Sequence, residues 1–211
     1  MAGRLCLDLT PEELALLYRI QKEAWPERAK LPRYNAAPRQ ALPVVTAERR
    51  VVAMRWGFPQ PWKPKPFDAP PLINAQSEGA AKKPVWAAPL RERRAIVPAT
   101  GFYEWVGDAP LLFRRRDGRP MSLAAVWGAF DWGEKKGWPC VAVLTCSPNA
   151  TVAPVHDRMP VIVEAADEDA WLGGDYAALL RPAGDDVLIA VPASRRLNRV
   201  DAEGPDLLVP D

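Results

Sequence analysis

Only a handful of side chains in this sequence are equipped for proton transfer or nucleophilic attack. Three of them stand in short, distinctive settings. The single histidine, His156, lies in PVHDRMP between a strand-like run and the pair Asp157 and Arg158. An imidazole gives or takes a proton near neutral pH, so His156 is an acid–base candidate, with a purely structural histidine as the competing explanation. Glu104, in GFYEW, alternates with Tyr103 and Trp105 in a run otherwise made of large apolar groups. A carboxylate set among aromatic rings loses hydration and becomes a better proton acceptor, unless it points outward as an ordinary strand residue. Asn74, in PPLINAQSE, is a candidate positioning amide or, more simply, the N-cap of a following helix. Cys140 and Cys146 are an even number of residues apart on one strand-like run and so share a face. A nucleophile or metal-ligand role together with His156 is open to them, but burial as small apolar thiols is the commoner fate.

These groups need a scaffold to position them, and the local patterns describe one. Thr10 as N-cap, Pro11 at the first helical position and Glu13 three residues after the cap form a capping box. Leu14, Leu17, Ile20 and Ala24 then recur at helical spacing until Pro26. From Ala41 the pattern becomes short apolar runs between turn residues, and the two halves of LPVVTAERRVVAMRWGF are predicted to pair as strands. Residues 59–71 hold six prolines with Trp62 and Phe67, which predicts an irregular, semi-rigid loop of a length often put to functional use. Asp117-Gly118 between two strand-like runs predicts a hairpin, and WPCVAVLTC a further strand. Towards the end, AADEDAWL and DYAALL read as short surface helices and DVLIAVP as a strand. The expected class is α+β: one domain over 1–211, dominated by antiparallel strands with helices at the periphery.

Bulk properties narrow the function classes. A chain of 211 residues buries roughly 70% of its unfolded surface and needs no covalent staples. Three cysteines without CxxC spacing suggest neither a disulfide framework nor a structural zinc site, so a reducing, cytoplasmic setting without metal or cofactor is expected. No run approaches the ~20 apolar residues that span a bilayer, and no basic-then-apolar leader opens the chain, so no membrane partner is expected either. The balance of 28 basic and 26 acidic residues, net +2, does not by itself argue for a polyanion partner. Basic residues do cluster in RERR (91–94), FRRR (113–116) and SRR (194–196), which either line one groove or sit on separate solvated surfaces.

Six blocks in fixed order carry a stronger signal. MxGR at the start, RYNAAP (33–38), RWGF (55–58), PLINAQSE (71–78), GFYEW (101–105) and HDRMP (156–160), closed by VPASRRLNRVDAEGPDLLVP, together resemble the SRAP family of SOS-response-associated, abasic-site-processing proteins over essentially the whole chain. The resemblance implies a compact fold with a barrel-like or bifurcated antiparallel sheet, peripheral helices and a basic groove for single-stranded DNA. It also implies chemistry at the second residue. There the family has a cysteine, exposed by removal of the start methionine, whose amine and thiol close a thiazolidine on the aldehyde of an abasic site. By motif matching, Asn74 and Glu104 position that terminus and move its proton, and His156 protonates the sugar oxygen. Arg4, Asn35, Gln76 and Arg158 contact the DNA, and Trp62 stacks on a base or wedges into the strand.

Two positions depart from the family. Ala2 stands where the cysteine is expected, and it has no thiol with which to close the ring; Cys6 cannot substitute, because amine and thiol must belong to one residue. Gln76 stands where an arginine is usual, which removes a fixed charge from the groove. Ala2 is an engineered change, a divergence that keeps only Schiff-base chemistry, or a divergence that has lost covalent chemistry. Gln76, which an engineer has no reason to introduce, favours divergence. The sequence therefore predicts a monomeric abasic-site sensor or processor on single-stranded DNA, cytoplasmic and nucleoid-associated when bound. A non-catalytic single-strand-binding module is the alternative, and a peptidase the remaining one.

Overall fold

The computed structural model describes residues 3–20 and 25–211. Thirteen strands follow the chain: β1 (Leu5–Leu7), β2 (Arg33–Ala36), β3 (Ala41–Thr46), β4 (Val51–Trp56), β5 (Asn74–Gln76), β6 (Arg94–Ala99), β7 (Gly101–Val106), β8 (Ala109–Arg115), β9 (Met121–Trp132), β10 (Lys135–Cys146), β11 (Met159–Pro160), β12 (Ile162–Val163) and β13 (Leu188–Pro192). The α-helices are short: α1 (Pro11–Leu17), α2 (Ser77–Ala80), α3 (Pro84–Glu92) and α4 (Glu168–Gly173).

Five strands close on themselves, because β10 pairs with β4, β4 with β3, β3 with β6, β6 with β9, and β9 again with β10. Closure leaves this barrel without a free edge. The β4–β10 contact is parallel and the other four are antiparallel. Outside the ring, β5 and β11 attach to β10 and β12 to β9. A second sheet runs β13-β8-β7-β1-β2. One of its faces packs Leu5, Leu7, Phe102 and Phe113 into the main core with the barrel's Trp56, Met54 and Val97. On its other face Cys6, Tyr103 and Leu112 meet Ala193, Leu197 and Leu207 of the C-terminal segment. Covering on both faces explains why the three residues of LCL in β1 are all buried, with no polar alternation.

Several predicted elements form as the local chemistry dictates. Thr10 caps α1 with both arms of the capping box in place: its hydroxyl accepts from the Glu13 amide, and Glu13 Oε2 accepts from the Thr10 amide at 2.8 Å. The helix is shorter than the apolar spacing predicts. It stops at Leu17, Arg19 turns left-handed at φ 52°, and Leu17 is left exposed. Ala24 lies outside the described residues. β3 and β4 pair as a hairpin, and residues 59–71 form an irregular loop whose ends are held by the Phe58–Leu72 bridge.

The Asp117-Gly118 turn does not make the expected hairpin. β8 already has β7 and β13 on its two edges, so β9 leaves for the barrel and the turn passes between the sheets. Its geometry is fixed by charge instead. Arg115 and Arg119 both grip the Asp117 carboxylate, while Gly118 takes φ +74°. The hairpin of this region is β9–β10, turning at Gly133 with φ +58°.

Candidate functional site

The proline-rich loop delivers the chain to β5 through two close approaches. Gly57, at φ +110°, passes so near Pro71 that a Cβ would lie 2.5 Å from the proline Cβ, so RWGF needs its glycine. The buried Trp56 indole then donates to the Ile73 carbonyl at 3.1 Å, and that carbonyl also accepts from the Val143 amide at 3.0 Å. Asn74 is thus a strand residue, opposite Val143 in a parallel pairing. It caps no helix, since α2 begins after Gln76. Gln76, the next residue but one, is exposed and pairs with Thr145.

Across β10, β11 brings the HDRMP block against the opposite edge, so that Thr145 faces Gln76 on one side and Pro160 on the other. Arg158 clamps Glu78, in the first turn of α2, with two parallel bonds of 2.8 and 2.7 Å, and donates to the Thr145 carbonyl at 2.6 Å. This fork holds the Glu78 carboxyl below the usual carboxylate range. His156 is half-buried, and its Nδ1 has two neighbours. A neutral ring accepts there from the Arg158 backbone N–H at 3.0 Å, and a protonated ring faces Asp157 Oδ1 at 2.9 Å. Asn74, Gln76, Glu78, His156 and Arg158 form one neighbourhood along β10.

Glu104 belongs to the second sheet. It is buried at 6% exposure on β7, on the face it shares with Phe102. β1 runs antiparallel beside it, with Leu5 opposite Phe102 and the Tyr103 amide donating to the Arg4 carbonyl at 3.0 Å. The same register extended by one step sets Gly3 opposite Glu104, so the carboxylate stands where the chain enters the sheet. Ala2 itself lies outside the described residues. Arg4 donates to Asn35 Oδ1 at 2.6 Å and to the Leu197 carbonyl at 2.9 Å, with its guanidinium over Trp105. Asn35 is fully buried and donates to the carbonyls of Arg199 and Ala202. Both residues therefore anchor the C-terminal segment beside the entry strand. Trp62 is 59% exposed on the proline-rich loop.

One arginine of each basic cluster is engaged within the protein. Arg94 is buried on the carbonyls of Leu90, Arg91, Trp171 and Gly174, Arg115 is held by Asp117 and Glu164, and Arg196 is paired with Asp206. The cysteines are free and buried, and burial pushes the Cys6 thiol up to about 12, Cys140 to about 11 and Cys146 to about 12. None is a competent nucleophile at neutral pH. Among the described residues no group of three or more His, Cys, Asp or Glu could hold a metal ion, and no helix is long and apolar enough to cross a membrane. Glu78 is the site residue that motif reading passed over; its only sequence signal is a carboxylate two residues after the strand-ending Gln76.

The chain as a whole is similar to known proteins. A profile of the SOS response associated peptidase family matches residues 1–200. The chain belongs to the SRAP family. Its relatives include the abasic site processing protein YoqW of Bacillus subtilis, 30% identical with 99% of each chain covered, and the abasic site processing protein YedK of Escherichia coli, 30% identical over the full length of both. The chicken abasic site processing protein HMCES is 27% identical over the whole of this SRAP chain and 78% of its own. In fold, a crystal structure of a Bacteroides thetaiotaomicron protein matches with a TM-score of 0.84 at 19% identity over 99% of both chains. One from Bordetella bronchiseptica matches at 0.78 and 20% identity, over 91% of this chain and 99% of that one.

Proposed function

We propose that this SRAP protein, as a single monomeric domain, recognises abasic sites in single-stranded DNA, with its covalent chemistry at position 2 limited by Ala2. The relatives named as abasic site processing proteins support the lesion. The observation that carries the reading is the meeting, across β10, of the strand that holds Asn74 with the His156–Arg158 segment through the Arg158–Glu78 fork, with Glu104 beside the chain's entry.

An α-amine has an ordinary pKa near 8, so a neighbouring base makes it nucleophilic at neutral pH. Once Met1 is removed, the Ala2 amine attacks the aldehyde carbon of the ring-opened sugar. His156 protonates the ring oxygen as it opens, Glu104 takes a proton from the attacking amine, and water leaves to give an imine. With no thiol to close a thiazolidine, the imine either hydrolyses or acidifies the adjacent carbon. Glu104 or His156 then removes a proton from that carbon, and the 3′ C–O bond breaks with phosphate as the leaving group.

Incubation with abasic-site single-stranded DNA, with and without borohydride, tests this once mass spectrometry has fixed the state of Met1. A borohydride-dependent adduct is expected from the native chain and a borohydride-independent one from Ala2→Cys, with Glu104→Gln cutting either by about 100-fold or more, the contribution of a general base. Failure of Ala2→Cys to form any adduct while DNA still binds would favour a non-catalytic binding module, the reading that the missing thiol supports on its own. A peptidase using one of the buried thiols ranks last, because those thiols stay protonated at neutral pH.

A further inference from the structure

A second feature of the molecule combines aromatic rings with positive charge, away from the residues assigned above. Between the proline-rich loop and the β9–β10 hairpin lies a cavity of about 300 Å³, lined by Arg28, Arg39, Arg55, Phe67, Trp132 and Trp138, with Asp68 the one acidic residue in its wall among the described residues. Phe67 and Trp132 are stacked, their centroids 4.8 Å apart and their planes 6° from parallel, and Trp138 meets Trp132 edge-on at 6.2 Å. Cations lie over these rings: Arg28 is 4.9 Å from Trp138, Lys135 is 4.5 Å from Trp138 and 5.4 Å from Trp132, and Arg55 is 5.6 Å from Phe67. Arg39 donates to the carbonyls of Asp68 and Ala69 and so fastens the loop over the pocket.

This composition is unusual for a structural corner. Rings that only filled a core would be sealed, yet Trp132 is 41% exposed and Arg28, Arg39 and Lys135 are exposed as well. Among these cations Arg55 is buried, at 7%, and its Nη1 is held by the Gly57 carbonyl at 2.7 Å, which fixes its guanidinium in the floor, while Arg28, Arg39 and Lys135 lie at the exposed rim. An exposed indole, Trp132, beside exposed cations matches a planar π-system that carries negative charge, namely a nucleobase with its phosphate. Position then selects the source. From Trp138 to Val143, opposite Asn74, is five residues along β10, roughly 17 Å at ~3.3 Å per residue. The loop that roofs the pocket also carries Trp62.

We propose that this pocket takes a flanking nucleotide of the same DNA strand whose lesion occupies the candidate site, its base against Trp132 and Trp138 and its phosphate on Arg28, Arg39 and Lys135. The inference rests on the DNA-binding reading above and extends the strand's footprint along β10.

Fluorescence anisotropy with single-stranded oligonucleotides carrying one abasic site and flanks of increasing length tests it. Affinity is expected to rise in a step when one flank becomes long enough to reach the pocket. Trp132→Ala is expected to remove that step, about tenfold, as loss of one base–aromatic stack would, while leaving the shortest strand's affinity unchanged. Lys135→Glu, at an exposed position where folding is not at risk, is expected to remove it as well and to lower the salt dependence of binding by about one phosphate contact. A length dependence that is identical in the native protein and both variants would overturn the pocket while leaving DNA binding intact. A free deoxynucleoside monophosphate that binds as tightly as the strand and is displaced by neither flank would overturn it in favour of a soluble nucleotide. Absence of binding at every length would overturn both this inference and the function proposed above.

Discussion

At the scale of single residues, the site's chemistry is set by who holds whom. Arg158 has both ends of its fork on Glu78 and a third bond to the Thr145 carbonyl, so an arriving phosphate must compete with a carboxylate already in place. Arg158→Ala should therefore weaken single-stranded DNA binding and lower the salt slope by about one, whereas Glu78→Gln should tighten binding by releasing the guanidinium. Titration of both variants across a salt series checks this; an unchanged slope in Arg158→Ala would reduce Arg158 to a strut for α2. Motif reading could name Arg158, His156, Asn74 and Glu104, because residue type and local company are visible in sequence. It could not name Glu78 as the partner, since the two residues are 80 positions apart and meet only across β10.

At the scale of elements, the turn at Asp117 shows a local signal overruled by its surroundings. Asp-Gly between apolar runs is good hairpin chemistry, and the turn does form, but it joins strands of different sheets. Two guanidiniums, Arg115 first and Arg119 second, hold the Asp117 carboxyl well below the ordinary carboxylate range. A folded value below the unfolded one means that the stabilisation is complete above the unfolded pKa of about 3.9 and is lost as pH falls through the lower folded value. Asp117→Asn is accordingly expected to lower the thermal midpoint at pH 7 and to show a smaller deficit at pH 2, as followed by circular dichroism. An equal deficit at both values would mean that the turn depends on packing and not on charge. Helix α1 gives the complementary case, because its N-terminus follows from a capping box contained in four consecutive residues, while its early end at Leu17 leads into Tyr18, whose hydroxyl meets Ser122 on β9, and the left-handed Arg19.

At the scale of the whole molecule, the closing segment is tied to the opening one through Asn35. Its amide holds the Arg199 and Ala202 carbonyls and accepts from Arg4, and the Asn35 side chain itself is fully buried. Asn35→Ala should cost about 3 kcal/mol in urea unfolding, since buried carbonyls without donors are costly to leave unmade, and should weaken DNA binding by loosening the entry strand. Retention of full stability would show that the C-terminal segment is held by its apolar contacts with Tyr103 and Leu112 and by its other polar contacts, such as that of Arg4 with the Leu197 carbonyl. The sequence by itself determined the family, the strand-rich class, the capped first helix, the proline-rich loop and the residue types available for chemistry, because each of these is written in contiguous residues. The closed barrel, the partition of β8 and β9 into different sheets, the internal use of Arg94 and Arg115, and the meeting of Arg158 with Glu78 were decided only in three dimensions. Each depends on pairing between segments far apart in the chain, where the available strand edges and the need to satisfy buried charge, not local propensity, choose the partner.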